Sequence, residues 1–516
     1  MRQLSGLDAQ FLAIESASQY GHVGGLAILD PSTTPTGRLE LADIQRLILE
    51  RLPLVPPFRW KLVSVPFGLD YPYWIDDDDF DIDFHVRELA IVQPYTQDKL
   101  TEQTARIFGR PLDRARPLWE MYLIHGLPDG AVALLTKIHH AVVDGMSGNE
   151  ILGAILDLSA EGRPAPDAVN GDAGGRPTDL EMLGRAALGL PRYPVRVLRA
   201  LPSTLPNLED TGALSALPGV GLVARVASEI QRALGGQAPQ LGREKLTPPR
   251  TTFNGRVSPH RRIVIGQLSL ADVREIKSRH GCTVNDVIVS MVAGAVRRWL
   301  VAHDELPATP LVAQIPVSVR TEQQMGTFGN RILLMGAPLY TDIADPVERL
   351  LATHDALMDM KARHKALPAE LLTDANQFIP PAVFSRAARA TFTVASSKRG
   401  RPLWNLVISN VPGPAVPLYC AGARLQANYP ISVITDGMGL NITVLSYCGS
   451  LDFGLVGDRE QMPDLATLMT GLQAELDALK PAPSAKGKRA RATKAAKPDT
   501  KAKPAARGAA KRAAAG

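Results

Sequence analysis

Residues 131–158 read AVALLTKIHHAVVDGMSGNEILGAILDL and contain two apolar runs on either side of a short polar segment. The apolar run that ends at His139 and His140 is typical of a buried strand, and the run after residue 147 is typical of a buried helix. The polar group between these runs therefore lies at a turn that joins a strand to a helix. This succession predicts a mixed α/β fold in which polar side chains sit beside the core.

The two histidines of this stretch are candidates for acid–base chemistry. Adjacent residues on a strand point to opposite faces, so His139 and His140 are not expected to serve one cavity. A shared metal site is therefore disfavoured, and no third ligand follows at the usual spacing. An imidazole with a pKa near ~6.5 is suited to take a proton from an alcohol. On spacing alone, buried structural histidines are the stronger interpretation.

Two further polar positions belong to the same turn. Asp144 is placed either to orient His140 or to pair with a distant arginine, and Gly145 permits a sharp change of chain direction.

Periodic segments on both sides extend the mixed α/β pattern. Residues 440–447 and 451–456 flank Cys448-Gly449-Ser450 and predict a hairpin in which Gly449 takes a positive φ. Ser269 is a candidate N-cap for the helix that follows it. The other predicted strands are 23–29, 132–138, 263–268 and 312–319, and the predicted helices are 42–52, 98–107, 269–280 and 285–300.

Length and composition predict two domains with additional segments. The 516 residues exceed one ordinary domain, and 45% apolar with 21% charged residues is typical of a globular protein with an ample core. Pro, Gly and Ala become more frequent in the middle of the chain, as in surface connections. The predicted segments are an N-terminal domain (1–160), an interdomain crossover and linker (161–250), a C-terminal domain (251–478) and a tail (479–516).

The positive net charge of +5 is concentrated in that tail. From Lys480 onward the chain has 12 Lys and Arg against one acidic residue, whereas the preceding part has 45 against 51. Because residues 481–516 contain no Leu, Ile, Val or aromatic residue, the tail is predicted to be disordered. A solubilising extension is the first interpretation, and attraction to anionic lipid headgroups is the second. Specific nucleic-acid binding is disfavoured because no aromatic residues interleave with the charge.

Cysteine usage and hydropathy predict the compartment. Three cysteines, Cys282, Cys420 and Cys448, form no even-numbered framework, which indicates a reducing, cytoplasmic environment. No window reaches the ~18 to 20 apolar residues of a spanning helix, so any membrane contact is expected to be peripheral. Residues 182–201 alternate apolar residues with arginines and are suited either to a membrane interface or to packing across the two domains.

The acidic run at residues 75–84, IDDDDFDIDF, has the ligand type that calcium prefers. It lacks the spaced Gly and distal Glu of an EF-hand loop. A solvated loop that enters an alternating edge strand is the favoured interpretation, and no metal site is predicted.

Several motifs occur together in a fixed order. His139 to Gly145 matches the HHxxxDG signature of the coenzyme A-dependent acyltransferase superfamily. The chain also opens with LSGLDAQFLAIE (4–15), and its later motifs are PLWE (117–120), TVNDV (283–287), GNRI (329–332), SNVPGP (409–414) and NITVLSY (441–447). With this set the chain resembles the bacterial wax ester synthase/diacylglycerol acyltransferase family from about residue 3 to 475, and only the tail is left out.

The resemblance implies a fold and a reaction. It implies two domains of chloramphenicol-acetyltransferase type, each a mixed sheet with flanking helices, and a tunnel and active site between them. His140 would act as general base and His139 would support it. The resulting alkoxide would attack the thioester directly, so that no acyl-enzyme forms. Acyl-coenzyme A is then a co-substrate, no cofactor is required, and the acceptor is diacylglycerol or a long-chain alcohol.

The resemblance also implies roles for residues outside the histidine pair. Asn285 is the candidate donor to the oxyanion, with a helix N-terminal cap as the alternative. Asp144 would hold its loop through an arginine, either Arg320 or Arg331. Three neighbouring residues, Pro117, Leu118 and Trp119, would shape the substrate pocket or pack the first domain.

Three classes of function are compatible with these motifs. The leading one is an enzyme that makes triacylglycerol, with wax ester synthesis as a second or main activity. A non-catalytic lipid-surface protein on the same scaffold is the alternative, although a binding protein has no need of the intact His140 and Asp144. A condensation domain of peptide synthesis is the third class, and the lack of an adjoining carrier motif argues against it.

Overall fold

The computed structural model describes residues 2–143, 148–164, 178–189, 246–318, 332–365, 390–398 and 400–480. The strands in chain order are β1 (Arg2–Gln3), β2 (His22–Asp30), β3 (Trp60–Val63), β4 (Tyr73–Asp76), β5 (Val86–Ala90), β6 (Trp119–His125), β7 (Val132–His139), β8 (Arg261–Ser269), β9 (Leu311–Ser318), β10 (Ile332–Leu339), β11 (Leu406–Val411), β12 (Tyr419–Cys420), β13 (Ala423–Ile431), β14 (Leu440–Tyr447) and β15 (Ser450–Asp458). The helices are α1 (Gly6–Ile14), α2 (Leu41–Arg51), α3 (Ile82–His85), α4 (Gln97–Phe108), α5 (His140–Val143), α6 (Gly148–Ile155), α7 (Asp179–Gly189), α8 (Leu270–His280), α9 (Val284–Ala302), α10 (Pro346–Lys365) and α11 (Ala466–Leu479).

The first large sheet has the strand order β12-β13-β2-β7-β6-β5. Strand β7 is paired on both sides, antiparallel to β2 and to β6. Seven of its eight residues are buried, as expected for a strand with a near-continuous apolar sequence. The histidine pair lies at the end of this inner strand, so its backbone is anchored on two sides.

The second large sheet has the order β10-β9-β11-β14-β15-β8. One face of this sheet packs against α9, whose residues from Val287 to Val296 are all buried. Helix α9 in turn contacts α10 and α11. A smaller sheet, β1-β4-β3, completes the strands of the described residues.

The two large sheets are linked by strands from the second half of the chain that join the first sheet. Strands β12 and β13 come from the second half of the chain, yet β13 pairs antiparallel with β2 in the first sheet. The backbone N–H of Asn428 on β13 donates to Oδ2 of Asp452 on β15, 2.8 Å away, which links the sheets directly. The domain limits 1–160 and 251–478 stay predictions, since membership of the sheets does not follow chain order.

Most predicted elements are confirmed to within two residues. Ser269 caps α8, because its hydroxyl accepts the N–H of Asp272 at 3.2 Å. Cys448 and Gly449 connect β14 to β15, and Gly449 has a φ of 89°. The mixed α/β architecture is therefore the observed one.

The interpretation of the acidic run as a solvated loop and edge strand was wrong in two respects. Asp77 is buried and pairs with Lys61 at 2.7 Å, which explains why a carboxylate is tolerated there. Residues Ile82–His85 form α3 rather than a strand, and Asp81 caps this helix through the N–H of Asp83.

Several predictions fall on residues that the structure does not describe. They are the tail beyond Lys480, most of the linker at 161–250, and the part of segment 182–201 that follows α7. Among the described helices, none combines the length and apolar character that a membrane crossing requires.

Candidate active site

The backbone at the histidine pair is fixed by backbone hydrogen bonds on both sides. The N–H of His139, the last residue of β7, donates to the carbonyl of Leu118 at 2.9 Å. The N–H of His140 donates to the carbonyl of Gly21 at 2.7 Å, and His140 begins α5. The expectation that both histidines are strand residues is therefore wrong. They nevertheless have different surroundings, because the chain turns into a helix between them.

His139 is held by hydrogen bonds at both ring nitrogens. Its Nε2 lies 3.1 Å from Oε1 of Glu15, and its Nδ1 accepts the N–H of Ala141 at 3.1 Å. Since Nδ1 is an acceptor, the proton lies on Nε2 and points at the carboxylate. His139 is fully buried, so this arrangement fixes both its tautomer and its ring plane.

Glu15 follows α1 directly, and its carboxylate accepts several of the hydrogen bonds of the site. It also accepts the N–H of Gly21 at 2.8 Å and pairs with Arg114 at 2.6 Å. Burial raises the pKa of the Glu15 carboxyl, but the hydrogen bonds from His139, Arg114 and Gly21 outweigh burial and lower it to about 2. Glu15 is therefore ionised throughout the physiological range.

The imidazole of His140 is half-buried and stacks on Phe11. The ring centroids are 3.8 Å apart and the planes differ by 12°. Within the described residues, no hydrogen-bond partner reaches the buried Nδ1. Burial first, and the electrostatic effect of the neighbouring His139 second, lower the pKa of His140 to about 4. At neutral pH the ring is therefore an uncharged imidazole that can accept a proton.

The residues of the PLW motif support the end of β7. Trp119 is fully buried, and its indole N–H donates to the carbonyl of Phe58 at 2.8 Å. Its ring lies between those of Phe58 and His85, with centroids 4.5 and 4.3 Å away. Leu118 and Pro117 are also buried, and the carbonyl of Leu118 holds His139. These contacts are those of residues that pack the first domain.

Asn285 lies in the first turn of α9. Thr283 caps this helix and forms a capping box with Asp286, so the interpretation of Asn285 as the cap was wrong. The side-chain oxygen of Asn285 accepts a hydrogen bond from Asn410 at 3.4 Å. This contact brings together the TVNDV and SNVPGP motifs. Among the described residues, no hydrogen bond joins Asn285 to His139 or His140.

The predicted residues Asp144 and Gly145 lie outside the described part of the chain, as do Arg320 and Arg331. The pairing of Asp144 with an arginine therefore stays a prediction.

Two residues that contact the histidines were not predicted. Phe11 and Glu15 are four positions apart at the end of α1 and therefore face the same side. The helical spacing in LSGLDAQFLAIE predicts that Phe11 and Glu15 share one face. It does not predict which residues this face contacts, since the histidines are more than 120 residues away in the chain.

Comparisons with known proteins agree with this geometry. The model of the wax ester synthase/diacylglycerol acyltransferase catalytic domain matches residues 4–288, and the model of the C-terminal domain of the same family matches residues 328–480. The chain belongs to the wax ester synthase/diacylglycerol acyltransferase family. The catalytic-domain match includes both histidines and Asn285.

Related proteins cover almost the whole chain. A protein of Mycobacterium tuberculosis, whose name provisionally assigns it as a diacylglycerol O-acyltransferase, is 35% identical over 480 residues, which are 93% of this chain and 90% of that protein. The solved wax ester synthase/diacylglycerol acyltransferase from Marinobacter aquaeolei VT8 is 28% identical, with a TM-score of 0.64 over 93% of this chain and 98% of that one. The expectation of an acyltransferase enzyme is confirmed.

A domain from an antibiotic synthetase has a similar fold. The first condensation domain of the calcium-dependent antibiotic synthetase has a TM-score of 0.50 with 15% identity, over 93% of this chain and 96% of that domain. The predicted two-domain acyltransferase fold is confirmed. At this identity, the likeness shows no shared substrate, and the family models assign the chain to the acyltransferases.

Proposed function

We propose that this enzyme transfers a long-chain acyl group from acyl-coenzyme A to diacylglycerol to form triacylglycerol, and to long-chain alcohols to form wax esters, with His140 as general base. The observation that carries the proposal is the geometry at His140, which lies within the matched catalytic domain with its ring stacked on Phe11 and its backbone N–H donating to Gly21. A base must be unprotonated at the working pH, and burial ensures this for His140.

The reaction requires one proton acceptor and one leaving group. The unprotonated nitrogen of His140 removes the proton of the acceptor hydroxyl as the alkoxide oxygen attacks the thioester carbonyl carbon. A tetrahedral oxyanion forms and then collapses, which breaks the carbon–sulfur bond. The imidazolium returns its proton to the coenzyme A thiolate, so His140 ends in its starting form and the products are an ester and free coenzyme A.

Support for the base comes from the residues behind it. His139, held by Glu15 and by Ala141, fixes the end of β7, and the carbonyl of Leu118 holds the backbone of His139. We assign His139 a supporting role because its Nε2–H already points at Glu15 and its Nδ1 is occupied.

Asn285 is the proposed donor to the oxyanion. Its side-chain oxygen accepts a hydrogen bond from Asn410, which leaves the amide N–H groups to point away from Asn410. A donor of this type stabilises a tetrahedral intermediate by ~3 kcal/mol. Asp144 and Gly145 are proposed to shape the turn that carries His140.

The test is transfer of labelled palmitate from palmitoyl-coenzyme A. The purified full chain is incubated with diacylglycerol or with hexadecanol, and the labelled neutral lipids are separated and counted. We expect labelled triacylglycerol and wax ester from the wild type, and a ~10² to 10⁴-fold lower kcat from His140→Ala.

The matched control is His260→Ala, because His260 is an exposed histidine that precedes β8. This variant should keep wild-type activity. If His140→Ala retained more than about a tenth of the wild-type kcat, the role of His140 would be wrong.

We also propose that the enzyme works on the cytoplasmic side, at the surface of a membrane or lipid droplet. The support is chemical: the proposed acceptors are insoluble in water, and the last residues are strongly basic. Removal of residues 481–516 should weaken flotation with vesicles of phosphatidylserine and phosphatidylcholine. The difference in flotation between the full chain and the truncated chain should disappear at high salt, since the Debye length falls from ~10 Å at 0.1 M to ~3 Å at 1 M. Equal flotation of both proteins at low salt would exclude a lipid-binding tail.

A further inference from the structure

The ring of Phe11 stacks on the imidazole of His140. The two rings are nearly parallel, with centroids 3.8 Å apart. We propose that Phe11 is a positioning residue: its ring sets the plane of the His140 imidazole and shields one face of it from water. The proposal rests on the proposed role of His140 as general base.

Helix α1 holds Phe11 firmly at both ends. At the N-terminus, Ser5 and Asp8 form a capping box, in which each side chain accepts the N–H of the other residue. After the C-terminus, Glu15 is bonded to Gly21, His139 and Arg114. Leu12, next to Phe11, is buried in the core of the first sheet. The helix therefore has little freedom to move away from His140.

The orientation of the His140 ring is not set by a hydrogen bond among the described residues. A catalytic imidazole is commonly oriented by a hydrogen bond to its second nitrogen. In this site Nδ1 is buried and has no such partner within the described part of the chain, whereas the backbone N–H is held by Gly21. The backbone bond leaves the side-chain torsions free, and within the described part of the chain the stack on Phe11 is a contact that restricts them.

Phe11 also contributes to the exclusion of water from the ring. Among the described residues, the titratable groups near α5 are Arg2 from β1, Asp8 from α1, Glu15 directly after α1, His22 from β2, and Lys137 and His139 from β7. Of these, His139 lowers the pKa of His140, but burial is the larger cause. Removal of the aromatic ring should admit water and move this pKa back towards its ordinary value.

The experiment compares Phe11→Leu, which keeps an apolar side chain but has no aromatic face, with Phe11→Tyr, which keeps the ring. We expect kcat of Phe11→Leu to fall by about tenfold or more, with KM for palmitoyl-coenzyme A within about threefold of wild type. The acid limb of its kcat/KM profile should rise towards ~6.5, whereas the wild type stays active at lower pH. Phe11→Tyr should resemble the wild type in both respects.

A second readout does not depend on turnover. Selective ¹⁵N labelling of the histidines allows the His140 resonance to be assigned by its loss in His140→Ala and then titrated in each variant. Its pKa should be higher in Phe11→Leu than in the wild type or in Phe11→Tyr.

The matched control is Phe84→Leu. Phe84 is also half-buried, but its ring packs against the guanidinium groups of Arg87 and Arg116, 4.7 and 4.2 Å away. This variant should keep the wild-type kcat and pH profile. It shows what the loss of a half-buried phenylalanine does to the melting temperature without an effect on His140.

An unchanged pKa of His140 in Phe11→Leu would overturn the proposal, whatever happened to kcat. Loss of activity in Phe11→Tyr equal to that in Phe11→Leu would overturn it as well, since the ring would then not matter. Failure of the proposed function would look different, because His140→Ala would then remain active. An inactive His140→Ala together with a wild-type Phe11→Leu therefore rejects only the role of Phe11.

Discussion

Oε1 of Glu15 lies 3.1 Å from Nε2 of His139, although the two residues are 124 positions apart in the chain. The same oxygen accepts the N–H of Gly21, whose carbonyl holds the backbone of His140. One carboxylate therefore joins the N-terminal segment, the start of β2 and the histidine pair. Because Glu15 is largely buried, it affects the stability of this junction more than a surface ion pair would.

The first prediction concerns the pH dependence of this junction. The pKa of Glu15 is about 2 in the folded chain and 4.5 ordinarily, so the stability it contributes is fully present above 4.5 and is lost as pH falls towards 2. Glu15→Gln removes this titration. The difference in free energy of unfolding between wild type and Glu15→Gln should therefore shrink by about 2 kcal/mol between about pH 6 and about pH 3.

Urea denaturation at the two pH values measures this difference. The matched control is Glu102→Gln, which removes an exposed carboxylate that also pairs with an arginine, Arg106. Its difference from wild type should be small at both pH values, because an exposed ion pair contributes little. A difference for Glu15→Gln that stays constant with pH would show that the pKa of Glu15 is the same in the folded and in the unfolded chain.

The second prediction separates the two histidines. His139→Ala removes the hydrogen bonds to Glu15 and Ala141 and should lower the free energy of unfolding by ~1 to 3 kcal/mol. His140 makes no side-chain hydrogen bond among the described residues, so His140→Ala should cost less stability but far more kcat. Melting curves and kcat for both variants check this. The reverse order of effects would exchange the roles of the two residues.

Local signals in the sequence predicted local structure well. The strand at 132–138, the Ser269 cap and the turn at Gly449 each depend on residues that are neighbours in the chain. The error at Ile82–His85 has a local cause too. A short apolar–polar alternation fits a strand, but Asp81 provides a helix cap and the cap prevails.

Long-range pairing was not predictable from a single sequence. Strand β13 has the same alternating pattern whether it joins the first sheet or the second, and nothing in Ala423–Ile431 identifies β2 as its partner. The candidate site divides in the same way. The motif predicts His140 as the base, which stays a prediction, whereas the contacts of Phe11 and Glu15 depend on how α1 packs against α5.

The third prediction concerns Asp8, a buried carboxylate on α1. Burial raises its pKa from 3.8 to about 6, although hydrogen bonds from Ser5 and the charge of Arg2 oppose this. The stability that this group contributes is present below 3.8 and is lost as pH rises through about 6. Asp8→Asn does not titrate. The free energy of unfolding of Asp8→Asn should therefore increase by about 2 kcal/mol relative to that of the wild type between about pH 4 and about pH 7.

The measurement is again urea denaturation at both pH values. The control is Asp78→Asn, since Asp78 is exposed and its replacement should change the relative stability little over this range. If the wild type became more stable to unfolding relative to Asp8→Asn as the pH rises, Asp8 would be stabilised as the anion.

The fourth prediction concerns the buried ion pair of Arg349 and Glu475, which joins α10 to α11. Arg298 on α9 also donates to Glu475, at 2.8 Å, so three helices meet at one carboxylate. Gly294 of α9 lies against this group. A Cβ at position 294 would overlap the Glu475 carboxyl group and come within 2.6 Å of the Arg349 guanidinium.

Gly294→Ala should therefore lower the free energy of unfolding by about 3 kcal/mol, because either the ion pair or α9 must shift. Gly153→Ala is the matched control. Gly153 is also inside a helix, α6, but a Cβ there meets nothing within 4 Å. This variant should be neutral or more stable by up to ~1 kcal/mol, since alanine favours helix. Denaturation of both variants measures the difference. Equal stability of the two would mean that α9 can move away from Glu475 without loss.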